Sequence, residues 1–113
     1  MDNDFLIVLI TAPGAESGRQ IARALVEKRL AACVNLLPGI ASIYRWEGQV
    51  QEENEVLLIC KTRRPCLTAL QQEVQAMHPY QVPEIIALPL VGGLDAYLNW
   101  VAESTQPPDS TST

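Results

Sequence analysis

The chain offers one histidine, three cysteines and a scatter of carboxylates, so its scope for nucleophilic or metal chemistry is narrow. Cys33, Cys60 and Cys66 are odd in number and lack C-x-x-C spacing. A tetrahedral zinc site needs about four closely placed Cys or His ligands, and no such set is present in the sequence. Cys60 lies inside an apolar run and Cys33 beside Val34 and Leu36, where a small buried thiol is favoured over a reactive one. His78 stands directly before Pro79 at the end of a helical pattern. An imidazole there more often hydrogen-bonds a carbonyl or caps the helix end than ligates a metal. Lys61, Tyr80 and Glu84 fall at or near strand ends and together supply a cation donor, a hydroxyl and a carboxylate, enough to polarise a ligand cleft. An ion pair between subunits accounts for them equally. Trp46 and Trp100 suit anchors of an interface better than walls of such a cleft. The acidic stretch Glu47, Glu52, Glu53 and Glu55 reads as a solvated hairpin tip. None of these sets makes a catalytic constellation, and no catalytic residue is assigned.

The elements that must position these residues follow from periodicity. Residues 5–10, FLIVLI, are apolar without alternation and end at Thr11-Ala12-Pro13-Gly14, which predicts a strand buried on both faces. From Glu16 or Ser17, apolar Ile21, Ala22, Leu25, Val26 and Leu30 oppose Arg19, Arg23, Glu27 and Lys28, an amphipathic helix. Residues 32–37 form a second strand, interrupted at Pro38-Gly39 and continued over 40–46, so a long bulged strand is expected. Glu47-Gly48 is a hairpin turn, 50–55 is polar, and 56–62 is a third strand pairing antiparallel with the second. Pro65 opens a second helix in which Leu67, Leu70, Val74 and Met77 share a face, running to about His78. A fourth strand follows over 85–88, then a short helix with Leu94, Tyr97, Leu98 and Val101 that carries Trp100. The domain is expected over 1–103, with 104–113 a disordered tail of Ser, Thr, Pro and Asp.

A length of 113 residues, 48% hydrophobic and 19% charged, suits one globular domain with a true core. The formal charge of -5 argues against nucleic acid, whose binding rests on Lys and Arg at the phosphates. The apolar run 5–10 is too short for a signal segment or a membrane span, so a cytoplasmic location is the expectation.

An α+β order of β-α-β-β-α-β with right-handed crossovers gives a ferredoxin-like βαββαβ sandwich, an antiparallel sheet with both long helices on one face and a short C-terminal helix. The other face should then be polar at alternate positions. Residues 5–10, 56–60 and 85–88 are apolar at odd and even positions alike, so a second apolar face needs a cover. Homo-oligomerisation through sheet faces or long-strand edges is the simplest one.

Several segments, taken in order over residues 5–102, carry a family resemblance. They are Thr11-Ala12-Pro13, the run EKRLAACVN at 27–35, Pro38-Gly39 with SIYRWEG at 42–48, Glu55-Val56, Lys61-Thr62, HPYQVPEI at 78–85, and Tyr97-Leu98-Asn99-Trp100. Together they resemble the CutA divalent-cation tolerance proteins. The resemblance implies a homotrimer built by pairing long strands between subunits, much as in the PII signalling proteins, with a ligand cleft between subunits. It also implies tolerance to copper and other divalent cations through metal or small-ligand binding and signalling rather than turnover. Members with a proposed copper site have a Cys before Thr-Ala-Pro and two His before Pro-Tyr. This chain has Ile10 and Met77-His78 there, leaving His78 and the soft thioether of Met77 as the implied copper ligands. The alternative is an acylphosphatase-like enzyme of the same strand order, for which Arg19 is the one phosphate-binding candidate in the first loop region.

Overall fold

Alternation, hidden in the sequence because both faces are apolar, sorts the first strand once the helices are in place. The computed structural model describes residues 4–108. In β1 (Phe5–Ala12) Leu6, Val8 and Ile10 are buried, whereas Phe5, Ile7 and Leu9 between them are only half-buried. The buried set packs under α1 (Ala15–Glu27) and α2 (Leu67–Met77), which supply Ile21, Leu25, Leu70 and Val74 to the same core. From the sheet's other long strands, β2 (Cys33–Trp46) and β3 (Gln49–Arg63), come Leu58 and Cys60, each fully buried, with Val34 and Leu36 packed against them. Fully burying a Leu, Ile or Val side chain stabilises by roughly 1.5–3 kcal/mol, so this one-sided cluster dominates the fold's stability.

With β4 (Ile85–Pro89) the sheet has the order β2-β3-β1-β4, antiparallel throughout. α3 (Asp95–Ser104) closes the chain. The expected α+β class, element order and antiparallel sheet are thus found. So is the apolar second face: Ile7, Leu9, Leu57 and Ile59 line it at mid-sheet, and Leu37, Ile86 and Leu88 at its flanks are each 51% exposed. None of the described helices is long and apolar enough to cross a membrane.

β1 runs on to Ala12, and Pro65 stands in a 3-10 turn (Arg64–Cys66) ahead of α2; three further boundaries differ more from the sequence reading. First, β3 begins at Gln49, not Val56, and the acidic stretch is strand. Glu47 and Gly48 both adopt positive φ, 51° and 79°, as a two-residue turn matched to strand twist requires. That turn starts the ladder at Trp46↔Gln49, and its backbone hydrogen bonds outweigh the polar composition. Second, α1 stops at Glu27 rather than Leu30. Arg29 sits at φ 61°, and the amides of Arg29 and Leu30 return to the carbonyls of Val26 and Leu25 at 3.0 and 2.8 Å, a Schellman end built without glycine. The Arg29 guanidinium reaches the carbonyls of Glu103 and Ser104 at the end of α3, which occupies the side chain that this backbone strains. Third, the tail assigned to 104–113 is tied down at its start. Ser104 closes α3, Thr105 is buried, Arg63 donates to its hydroxyl at 2.8 Å and its carbonyl at 3.0 Å, and the Gln106 amide bonds the Arg29 carbonyl. Residues 109–113 of that tail lie outside the described residues.

The expected bulge lies between Leu37 and Ile40, with Gly39 at φ 76°. One extra residue there shifts the phase of β2. Cys33, Asn35 and Leu37 point to the open face before it, and Ile40, Ser42, Tyr44 and Trp46 after it.

The three cysteines are free thiols. Cys60 and Cys66 are buried, and burial pushes the Cys60 thiol up to about 12. Burial likewise raises Cys66. Both should resist iodoacetamide at pH 7.5 in the native protein and alkylate fully in urea, as read by peptide mass spectrometry.

Candidate functional site

Beyond the bulge the β2–β3 hairpin extends past the helices and presents Ser42, Tyr44 and Trp46 beside Gln51, Glu53 and Glu55 on one face. The segment linking α2 to β4 runs opposite this face. Between them lies a cleft of about 600 Å³ into which Tyr44, Trp46, Glu53, Glu55, Tyr80 and Glu84 all contribute. That volume is typical of small-molecule sites.

One chain of hydrogen bonds fixes the far wall. His78, 7% exposed, has its Nε2 2.7 Å from the Thr11 carbonyl, while its Nδ1 accepts the Tyr80 amide N–H at 3.1 Å. A carbonyl only accepts and an amide N–H only donates, so the ring is the neutral tautomer with its proton on Nε2. The Tyr80 ring leans on the imidazole with centroids 4.7 Å apart, and its hydroxyl donates to Glu55 Oε2 at 2.9 Å. β1, the 78–84 segment and β3 are thereby joined through three consecutive side-chain contacts. Burial, then the Glu55 carboxylate, holds the Tyr80 hydroxyl well above its ordinary value. Tyr44 is raised as well, by burial first and Glu53 second.

Of the residues singled out in the sequence, Trp46, Tyr80 and Glu84 meet in this cleft. Lys61 does not: it pairs with Cys33 and Ile7 on the open face, bonds Asn35 Oδ1, and stands six residues, about 20 Å, along β3 from Glu55. The implied copper pair, Met77 and His78, stands at the C-terminal end of α2. Both nitrogens of His78 are committed to backbone, and Met77 packs against the core. Among the described residues no three Cys, His, Asp or Glu side chains converge to hold an ion. Glu55, read as part of a solvated tip, is 7% exposed and central to the wall. Only its strand face follows from the sequence: a two-residue turn at Glu47-Gly48 pairs Tyr44 with Gln51 and Ser42 with Glu53, which puts the odd-numbered acids beside the aromatics.

The model of the CutA1 divalent ion tolerance proteins matches residues 6–104. The chain belongs to this family. It is 54% identical over 99 residues to the divalent-cation tolerance protein CutA of Thermus thermophilus, covering 88% of this chain and 96% of that one. It is 50% identical over 101 residues to the chloroplastic protein CutA of Arabidopsis thaliana, where it covers 89% of this chain but spans 56% of the longer relative. The solved structure of the Thermus thermophilus protein superposes with a TM-score of 0.89 at 53% identity, covering 90% and 99% of the two chains. That of CutA1 from Oryza sativa gives 0.89 at 48% identity over 91% and 94%. The family match also leaves the acylphosphatase alternative without support, and Arg19 is exposed on α1 rather than part of a loop cradle.

In this CutA1-family chain the Tyr80–Glu55 bond should be worth about 1–2 kcal/mol, since a hydrogen bond to a charged, buried acceptor lies at the strong end of the range. Tyr80→Phe should lose that amount in urea unfolding at pH 7. A raised folded pKa means that the contribution is complete below the unfolded value of 10.0 and is lost as pH rises above it. The wild type should therefore weaken above pH 10, and Tyr80→Phe should show a shallower decline.

Proposed function

We propose that the chain acts as a homotrimeric cation-tolerance protein of ferredoxin-like, PII-like architecture that works by binding a ligand in its cleft rather than by turnover. The observation that carries this reading is the open sheet face. Its flanking Leu37, Ile86 and Leu88 are each 51% exposed, and the mid-sheet residues between them are apolar. A monomer seldom leaves so continuous a patch in water, and a cyclic assembly covers it with the same surface of each copy. On this reading Lys61 and Asn35 belong to the contact between copies, which accounts for a lysine on an otherwise apolar face. The relatives' names, divalent-cation tolerance protein, supply the biological role. The three free thiols suit a reducing compartment, and we place the protein in the cytoplasm.

Light scattering on the full chain should give about three times its 12.4 kDa mass, unchanged on dilution to micromolar protein. A mass near 12.4 kDa would remove the assembly from this account. Copper is tested separately by equilibrium dialysis with Cu(II), and with Cu(I) under reductant, on wild type and His78→Ala. Because both imidazole nitrogens are engaged, the variant should lose stability yet bind copper as the wild type does. Copper lost in a variant that keeps its circular dichroism would restore His78 as a ligand.

A further inference from the structure

The cleft has a distinctive composition: its walls carry Glu53, Glu55 and Glu84, three aromatic rings, and no lysine, arginine or histidine. Anions are disfavoured there by charge. A bare metal ion suits it poorly, because the carboxylates do not converge on one point. They are spread instead. Glu53 and Glu55 lie two residues apart on the same strand face, about 7 Å, with Ser42 and Ile40 as their cross-strand partners, and Glu84 comes from the opposite wall. Between these charges the surface is aromatic, supplied by Tyr44, Trp46 and Tyr80. Tyr80 holds Glu55 in place by the 2.9 Å bond, so that carboxylate is fixed before any ligand arrives.

Separated carboxylates joined by aromatic surface complement a ligand whose positive charges are separated by apolar chain. Ammonium groups bind carboxylates by charge-assisted hydrogen bonds, and alkylammonium carbons lie favourably over ring faces. We infer that this cleft binds an aliphatic di- or polyamine, its ammonium groups taken by Glu53, Glu55 and Glu84 and its methylene chain laid across Trp46, Tyr44 and Tyr80. The inference rests on the binding role proposed above and names the ligand class for that same cleft. The net charge of -5 draws such cations toward the protein as a whole.

The test uses the full chain carrying Trp100→Phe, which leaves Trp46 as its one indole. Titration with spermidine and with 1,4-diaminobutane, at fixed ionic strength, should change Trp46 emission saturably. Glu53→Gln combined with Glu84→Gln should raise the dissociation constant about tenfold or more. Calorimetry on Trp46→Ala should show the same direction of loss, which keeps the test independent of the fluorophore. A response that never saturates in the millimolar range, or that the double variant reproduces, overturns the inference. So does a cleft already filled by a neighbouring copy, seen as Trp46 shielded from acrylamide and silent to amine. Light scattering on the same sample separates the two claims. Threefold mass without amine binding strikes out the ligand class alone, whereas a monomer mass strikes out the assembly.

Discussion

The pairing of β2 with β3, from Cys33↔Lys61 at one end to Trp46↔Gln49 at the other, is the interaction on which the remainder depends. Its inner half forms the centre of the sheet that α1 and α2 cover. Its outer half leaves the helices behind and becomes one wall of the cleft. A single ladder thus serves both the core and the site. Its register is pinned twice, by the left-handed pair Glu47 and Gly48 at the tip and by the Gly39 bulge midway. Without either device the backbone hydrogen bonds alone would permit slippage, since polar and mixed strands specify register weakly.

The opposite wall is held by a different means. There the chain between α2 and β4 lacks ladder partners, and order comes from hydrogen bonds made by side chains: imidazole to the Thr11 carbonyl, amide to imidazole, phenol to carboxylate. Such networks are costly when half-satisfied, which is why each member here has its partner. The consequence for His78 is that a residue type associated with metals serves as a brace. The same economy appears at the other end of the molecule, where Arg29 ends α1, caps the carbonyls of α3 and receives the Gln106 amide on its own carbonyl.

Much of this was legible in the sequence, and the exceptions have physical causes. Strands were readable from apolar runs, and the bulge from Pro38-Gly39, because both are local signals. The apolar second face was readable because residues 5–10, 56–60 and 85–88 fail to alternate. The outer half of β3 was misread because QVQEENE has loop composition, and only its partner strand makes it extended. The stop of α1 at Arg29 was hidden because a left-handed arginine has no compositional signature, and its compensation lies 74 residues away at Glu103. The burial of Glu55 was hidden likewise, because it depends on Tyr80 arriving from a distant segment. Tyr80 and Glu84, whose chemistry suits a ligand cleft, do meet, and Trp46, which the sequence favours as an interface anchor, joins them, whereas Lys61 stands on another part of the sheet.

The bulge has a consequence for which changes in length the chain can accept. Side chains in a strand obey a parity rule, odd to one face and even to the other, and Pro38-Gly39 inverts that parity for everything beyond it in β2. Tyr44 and Trp46 face the cleft only because the inversion has occurred; pair the same residues without the bulge and Ile43 and Arg45 would take their places. Single insertions or deletions between the bulge and the tip therefore amount to an exchange of the whole wall, while changes by pairs preserve it. The extra residue in β2 is in that sense the element that decides which half of the hairpin's side chains the rest of the protein sees.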